Sequence, residues 1–227
     1  MFYFDWTYLL MIPGLLLGMW AQAKVKSAYA QYSRMPSLRG VTAAQAAQTL
    51  LKRLGNTRVK VERVSGTLSD HYDPRTETLR LSEGVYGSSS LAALGIAAHE
   101  AGHAMQKFDN YAPMRWRSWL VPVVNIGSQA YFPLFLLGIL FSWQPLISLG
   151  ILAFSLSLVF ALVTLPVEFA ASRRGVAMLR ESGLITLQEE DGVKQVLSAA
   201  ALTYVAAAVT SLLQLMRLIL ISRRRDD

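Results

Sequence analysis

Residues 118–167 read SWLVPVVNIGSQAYFPLFLLGILFSWQPLISLGILAFSLSLVFALVTLPV, fifty positions without a single Lys, Arg, Asp or Glu. A helix needs roughly 20 apolar residues to cross about 30 Å of hydrocarbon. This stretch supplies two such helices, at 119–140 and 144–167, with Ser142, Trp143, Gln144 and Pro145 as the turn between them. Working outward, residues 6–23 and 195–216 are also free of charge, which predicts a first span at 6–23 and a fourth at about 196–221. The excluded charges collect elsewhere: residues 24–117 carry 14 of the 22 Lys and Arg. The expected fold is therefore a mainly α membrane protein of four transmembrane helices with a small α+β insertion. Its segments are a first transmembrane helix at 1–23, an insertion at 24–118, a helix pair at 119–167, a second polar segment at 168–195, and a fourth helix with a basic tail at 196–227.

Composition excludes several classes. Only 16% of the 227 residues are charged while 53% are apolar, against about a quarter charged in ordinary soluble domains. The chain has no cysteine, so disulfides, thiolate metal ligands, Cys nucleophiles and iron–sulfur clusters are excluded. The net charge of +7 invites a nucleic-acid reading, but no basic-aromatic reader motif is present and no nucleic-acid partner is expected. Topology accounts for the charge instead. Eighteen of the 22 basic residues fall in the two polar segments, which the positive-inside rule places in the cytoplasm, with the N-terminus and the 142–145 turn outside. Ala21, Gln22 and Ala23 resemble a signal-peptide cleavage site, yet residues 1–5 hold Asp5 and no basic residue, which favours an uncleaved anchor. One feature resists this topology. Four spans leave Arg223, Arg224 and Arg225 outside, so either late charges matter little or the last helix does not fully cross.

The insertion carries local signals of its own. Thr42 with Gln45 three residues on is a capping box, opening a helix that Gly55 stops. Residues 58–64 alternate as a strand through Val59 and Val61. Asp73, Pro74, Arg75 and Thr76 signal a turn, after which Thr78 to Leu81 alternates with Leu79 and Leu81 inward. Residues 88–90 are serines that can cap a helix running through Gln106.

That last helix carries His99, Glu100, Ala101, Gly102 and His103. Helical spacing puts the two histidines one turn apart on one face, where both rings can reach one Zn²⁺ at about 2.0–2.1 Å. Glu100, beside that face, is placed to act as general base and later to pass a proton to a leaving amine. A solvated His/Glu pair is the bland alternative, but an Ala-rich helix should be buried and would leave those charges uncompensated. A catalytic zinc needs a third protein ligand. With no Cys and only His71 as a further histidine, Glu168 is the stronger candidate. It directly follows the third span and is expected to open a new helix on the insertion's side of the membrane. The alternative for Glu168 is an interfacial charge paired with Arg173.

These motifs carry a resemblance. The His99–His103 motif, the run from Glu168 through Phe169, Ala170, Ala171 and Ser172 to Arg173 and Arg174, and the segment from Asp70 through His71 and Asp73 to Arg75 before Leu79 and Ser82 resemble the YugP-type neutral zinc metallopeptidases of bacterial membranes. More distantly the chain is similar to HtpX-type membrane proteases and to the gluzincin class. The resemblance implies a zincin-like insertion, a bacterial cytoplasmic membrane, and one Zn²⁺ per chain held by His99, His103 and Glu168 with Glu100 catalytic. It also implies a departure. One turn after the ligand Glu, gluzincins commonly carry an Asp that orients a ligand histidine, and here that position is Ser172. Asp70 and Asp73 are candidate substitutes. His71 reads equally as a hydrogen-bond donor to the reaction's oxyanion or as a turn residue bonded near Asp73. Related folds place an edge strand just before the zinc helix, so Thr78 to Ser82 is a candidate edge to which a substrate could add as an extra strand.

The expected function is zinc-dependent hydrolysis of peptide bonds in membrane or membrane-proximal proteins. The expected partners are the lipid bilayer and a protein or peptide substrate, with a homo-oligomer or a partner membrane protein left open. Two rivals stand beside it: an inert scaffold that keeps zinc for folding, and a metal transporter. An intact Glu100 argues against the first, and ligands placed off the span centres argue against the second.

Overall fold

The computed structural model describes residues 5–223, so Arg224 and Arg225 of the basic tail lie outside the described residues. The chain is mainly helical. A 3₁₀ turn, Trp6–Met11, leads into α1 (Ile12–Tyr32), followed by α2 (Ala43–Arg53), β1 (Lys60–Val64), β2 (His71–Asp73), β3 (Thr78–Ser82), α3 (Glu83–Tyr86), α4 (Leu91–Phe108), α5 (Ala112–Leu140), α6 (Gln144–Glu181) and α7 (Leu187–Arg223). Four helices are long and apolar enough to cross a membrane: Trp6–Tyr32, Ala112–Leu140, Gln144–Glu181 and Leu187–Arg223.

Contacts divide the chain into two compact units. One comprises Met1–Ala21, Arg115–Leu165 and Thr203–Asp227, and the other Gln22–Met114 and Pro166–Leu202. The first holds the most apolar helical stretches. Their outward side chains stay uncovered by protein: Leu15 is 62% exposed, Ile126 71% and Leu152 62%. A helix apolar on its outer face as well as its inner one needs lipid around it. Within this unit the starts and ends of helices meet. Arg217 donates to Thr7 at 3.2 Å, pairs with Asp5 at 3.6 Å and stacks over the Tyr8 ring. Gln144, opening α6, donates to Ser222 at 2.9 Å, near the end of α7. The α5–α6 turn, the first described residues and the end of α7 therefore lie at one end of the unit, as four crossings require. The last helix spans 37 residues, about 55 Å at the α-helical rise, which is long enough to cross.

The second unit is an α+β body built around α4. Thr42 caps α2 with the reciprocal Gln45 bond, and the small inner face of Ala43, Ala46 and Ala47 with Leu50 packs on α4. Ser90 caps α4 through the Ala93 amide. Alanines at 92, 93, 97, 98, 101 and 104 are all buried, so α4 is packed on nearly every side by close neighbours. Leu79 and Leu81 of β3 join the same core with no exposure, each contributing about 1.5–3 kcal/mol of burial.

Two expectations are corrected here. The strand Thr78–Ser82 is not an edge. The sheet order is β1-β3-β2, with β1 parallel to β3 (Lys60 opposite Thr78) and β2 antiparallel to it (His71 opposite Arg80). Both ladders of β3 are occupied, so no further strand can add to it. Glu168 does not open a new helix: α6 runs without a break from Gln144 to Glu181. Pro166 removes one N–H, a loss a long helix absorbs when neighbours satisfy the freed carbonyl. The fourth candidate span lies within a longer helix: α7 starts at Leu187, because Val193, Val196 and Leu197 are buried in the core around α4. The segment 168–195 is thus two helix ends and a short turn.

Candidate metal centre

The site is made where α4 crosses the second half of α6. Two glycines set that crossing. A Cβ on Gly102 would lie 2.5 Å from the carbonyl oxygen of Ala171, and one on Gly175 would lie 2.7 Å from that of Ala98. The backbones touch, and so the Glu168 side chain reaches the histidines one turn away. Gly102→Ala should therefore push the helices apart. The expected cost is about 1–3 kcal/mol in unfolding free energy, together with weakened metal binding, read by thermal unfolding and metal analysis of the purified protein.

Three donor atoms converge. His99 Nε2 and His103 Nε2 are 3.1 Å apart, and Glu168 Oε2 stands 3.2 Å from the first and 3.4 Å from the second. Ligands at about 2.0–2.1 Å from a tetrahedral zinc stand about 3.3–3.4 Å from one another. The observed triangle matches that spacing and leaves a fourth position. His103 is 7% exposed and Glu168 2%, while the His99 side chain is 14% exposed. Among the described residues these three form a group able to hold a metal ion.

The other ring nitrogens fix the direction of the lone pairs. Gln106, fully buried, donates from Nε2 to the Val167 carbonyl at 2.8 Å. Its Oε1 is then the atom that faces His103 Nδ1 at 3.0 Å, so Nδ1 carries the proton and Nε2 presents a lone pair toward His99 and Glu168. His99 Nδ1 meets Ser172 Oγ at 3.0 Å; where the hydroxyl accepts from Nδ1–H, Nε2 presents its lone pair to the same spot. Two imidazole lone pairs and a carboxylate oxygen then point at one spot, and a cation is what that donor set fits. Electrostatics agree. When a proton rather than a metal cation occupies the spot, burial disfavours the charged His103 ring, but a hydrogen bond from Nε2–H to Glu168 and the charges of Glu100 and Glu168 outweigh this and raise its pKa. The spot favours positive charge.

Glu100 lies on α4 between the two histidines and is 9% exposed. The remaining sequence candidates lie outside this cluster. His71 points Nδ1 at the Ser69 carbonyl, 2.7 Å away, which puts its proton on Nδ1. Its Nε2 faces Arg80 Nη1 at 3.5 Å. In that tautomer Nε2 has no proton to give an oxyanion, and the contacts are those of a strand residue bonded to its own hairpin. Asp70 accepts from the Ser82 amide at 2.7 Å and the Ser82 hydroxyl at 3.0 Å. Asp73 accepts from the Arg75 amide and the Thr76 hydroxyl, and these bonds lower its pKa to about 2. Both carboxylates hold the hairpin in shape instead of orienting a histidine. Ser172 and Gln106 touch the histidines in their place.

Gln106 was missed by the sequence reading. Its signal was available: an amide three residues after His103, on the same helical face, in a helix otherwise built of Ala and Gly. Gln106→Leu should leave His103 Nδ1 without its acceptor and remove the second hydrogen bond on the Val167 carbonyl. Zinc affinity is expected to fall about 10–100-fold, measured by chelator competition. Clamps farther along hold the helices together. Lys107 donates to the Pro74 carbonyl and pairs with Glu77 at 3.3 Å, tying α4 to the hairpin. Arg174 of α6 pairs with Asp109 at 2.6 Å and lies over the Tyr111 ring.

Comparison with known proteins accords with this geometry. The chain is 47% identical over 212 residues, 93% of its own length and 94% of the relative's, to the protein described as "Putative membrane protease YugP" of Bacillus subtilis (strain 168). No solved structure matches it. A family model described as "Putative neutral zinc metallopeptidase" matches residues 7–223. With that match running through all four long helices and the His99–His103–Glu168 triangle between its ends, this chain belongs to that family of neutral zinc metallopeptidases.

Proposed function

We propose that the chain is a membrane-embedded zinc endopeptidase that hydrolyses peptide bonds of membrane or membrane-proximal proteins, with one Zn²⁺ per chain. The observation that carries this reading is the triangle of His99, His103 and Glu168 donors at 3.1–3.4 Å, built partly from a membrane-length helix. Zinc bound there supplies Lewis acidity toward a carbonyl and acidifies a water molecule. The protein's own part is proton handling and orientation. Glu100 takes the proton from the attacking water and returns it to the departing amine. Gln106 and Ser172 keep both imidazoles with their Nε2 atoms inward. The α+β unit then works as a zincin-like, gluzincin-type catalytic insertion with a serine where that class commonly has an aspartate.

The test is a comparison of membrane proteomes from cells expressing wild type or Glu100→Gln at equal levels. Substrates should accumulate in the variant as full-length membrane proteins. Identical proteomes, with both proteins present and metal-loaded, would sink the endopeptidase reading.

The orientation proposed is cytoplasmic for the catalytic unit, in the bacterial cytoplasmic membrane. It rests on the eighteen basic residues in its two polar segments. A reporter inserted near residue 60 should read cytoplasmic, and one in the 142–145 turn should read external. A reversed pattern would overturn the orientation while leaving the chemistry untouched.

A further inference from the structure

Between α6 and α7, within the unit that holds the metal centre, lies a groove of about 800 Å³. It is large enough for a sizeable organic ligand. Its walls are one face of each helix, and their chemistry changes along its length. At one end stand Phe169, Ala201 and Leu202. These residues adjoin the apolar stretches of α6 and α7, since the charge-free run ends at Val167 and that of α7 continues to Met216. At the other end stand Arg180, Glu190, Asp191 and Lys194, eleven residues or about 16 Å farther along α6. Arg173 sits between the two ends.

The charges are not balanced internally: three cations, Arg173, Arg180 and Lys194, stand against two carboxylates, Glu190 and Asp191. The Glu190 carboxylate is already engaged by Lys194 at 2.8 Å and Arg180 at 3.8 Å. Arg173 is exposed and meets no carboxylate among the described residues. The groove thus offers one unneutralised guanidinium just beyond an apolar floor, at the level where the helices leave their charge-free stretches. A guanidinium fork takes phosphate oxygens bidentately, and a molecule that carries a phosphodiester on a glycerol bearing acyl chains, a phospholipid, would also fit the apolar floor.

The groove is not the cleft where a peptide bond would be cut. It reaches the metal centre only through Ser172, which touches His99 at Nδ1. The donor atoms converge on the opposite nitrogen, Nε2. An occupant of the groove would therefore stand behind a ligand histidine, away from the reacting position.

We propose that this groove is a binding site for an anionic phospholipid, with its phosphate on Arg173 and an acyl chain against Phe169, Ala201 and Leu202. It goes beyond the proposed peptidase activity and does not depend on it. Basic pockets between membrane helices commonly take lipid headgroups, and here the polarity gradient and the uncompensated arginine specify which part of the lipid goes where.

The experiment uses the full-length protein purified in detergent, with phosphatidylglycerol or phosphatidylcholine of matched chains added, and reads retained lipid by native mass spectrometry. A photoreactive acyl-chain phosphatidylglycerol maps the contact. Wild type should retain phosphatidylglycerol about tenfold better than phosphatidylcholine, with cross-links at 169 and 201–202. Arg173→Glu should remove that preference, and Leu202→Trp should remove the cross-links, both with zinc content unchanged as evidence of intact folding. Equal retention of the two lipids, cross-links confined to other helices, or displacement by millimolar inorganic phosphate would each overturn the proposal. Loss of peptidase activity in any of these samples bears on the catalytic reading alone.

Discussion

Glu100→Gln should keep its zinc and lose its peptidase activity. The amide has the shape of the carboxylate but cannot accept the water's proton, and positioned acid–base groups contribute about 10²–10⁴ in rate. A fall in kcat of that size is expected, with KM little altered, because Glu100 is not one of the three atoms in the donor triangle. Metal analysis beside the rate measurement makes the result specific. Zinc near one per chain with cleavage lost assigns Glu100 to proton transfer. Cleavage near the wild-type rate would remove Glu100 from the chemistry, and loss of both metal and rate would show that it supports the fold of the site.

The second large effect is expected at Glu168. Removing its carboxylate leaves two histidines that nothing closes into a three-donor set, and zinc should drop from about one per chain to a small fraction of that. Loss of a ligand should exceed the 10–100-fold typical for losing a ligand's orienting partner. Bound zinc stabilises the native state by about 2.7 kcal/mol when free metal is 100 times Kd. Wild type should therefore unfold at a higher temperature with zinc than with chelator, while Glu168→Ala shows no such difference. Glu168→Gln, which keeps one oxygen donor and the volume, should recover part of the metal binding. Unchanged zinc content in the Ala variant would exclude Glu168 from the centre.

Much of this architecture is legible in the sequence because hydrocarbon imposes a simple rule: no charge for some twenty residues. That rule located the four long helices, and the four-residue spacing of His99 and His103 located the metal-facing side of α4. What the sequence reading missed depends on tertiary packing. The helix at Glu168 looks as if it should break, since Pro166 precedes a change from apolar to charged residues, but packing of α6 on α4 through Gly175 and Gly102 carries the helix through. The alternation at Leu79 and Leu81 marks a strand but is silent on its neighbours, and the central place of β3 follows from a parallel pairing with β1. Asp70 and Asp73 looked available to a histidine only because a sequence does not show that a hairpin already uses both carboxylates. Gln106 was overlooked because a lone amide in an Ala-rich helix carries no charge to draw attention, although burying it without partners would be costly.

The unbroken α6 has a consequence for how the protein comes into being. His99 and His103 leave the ribosome about 65 residues before Glu168, a delay of about 3–13 s at ordinary synthesis rates. Between them the chain makes the helical hairpin of α5 and α6, whose apolar residues enter the bilayer. Because Glu168 follows that hairpin in the chain, the three-donor set is complete only after the hairpin has been made. A nascent chain that has not yet reached residue 168 carries two histidines and no third ligand.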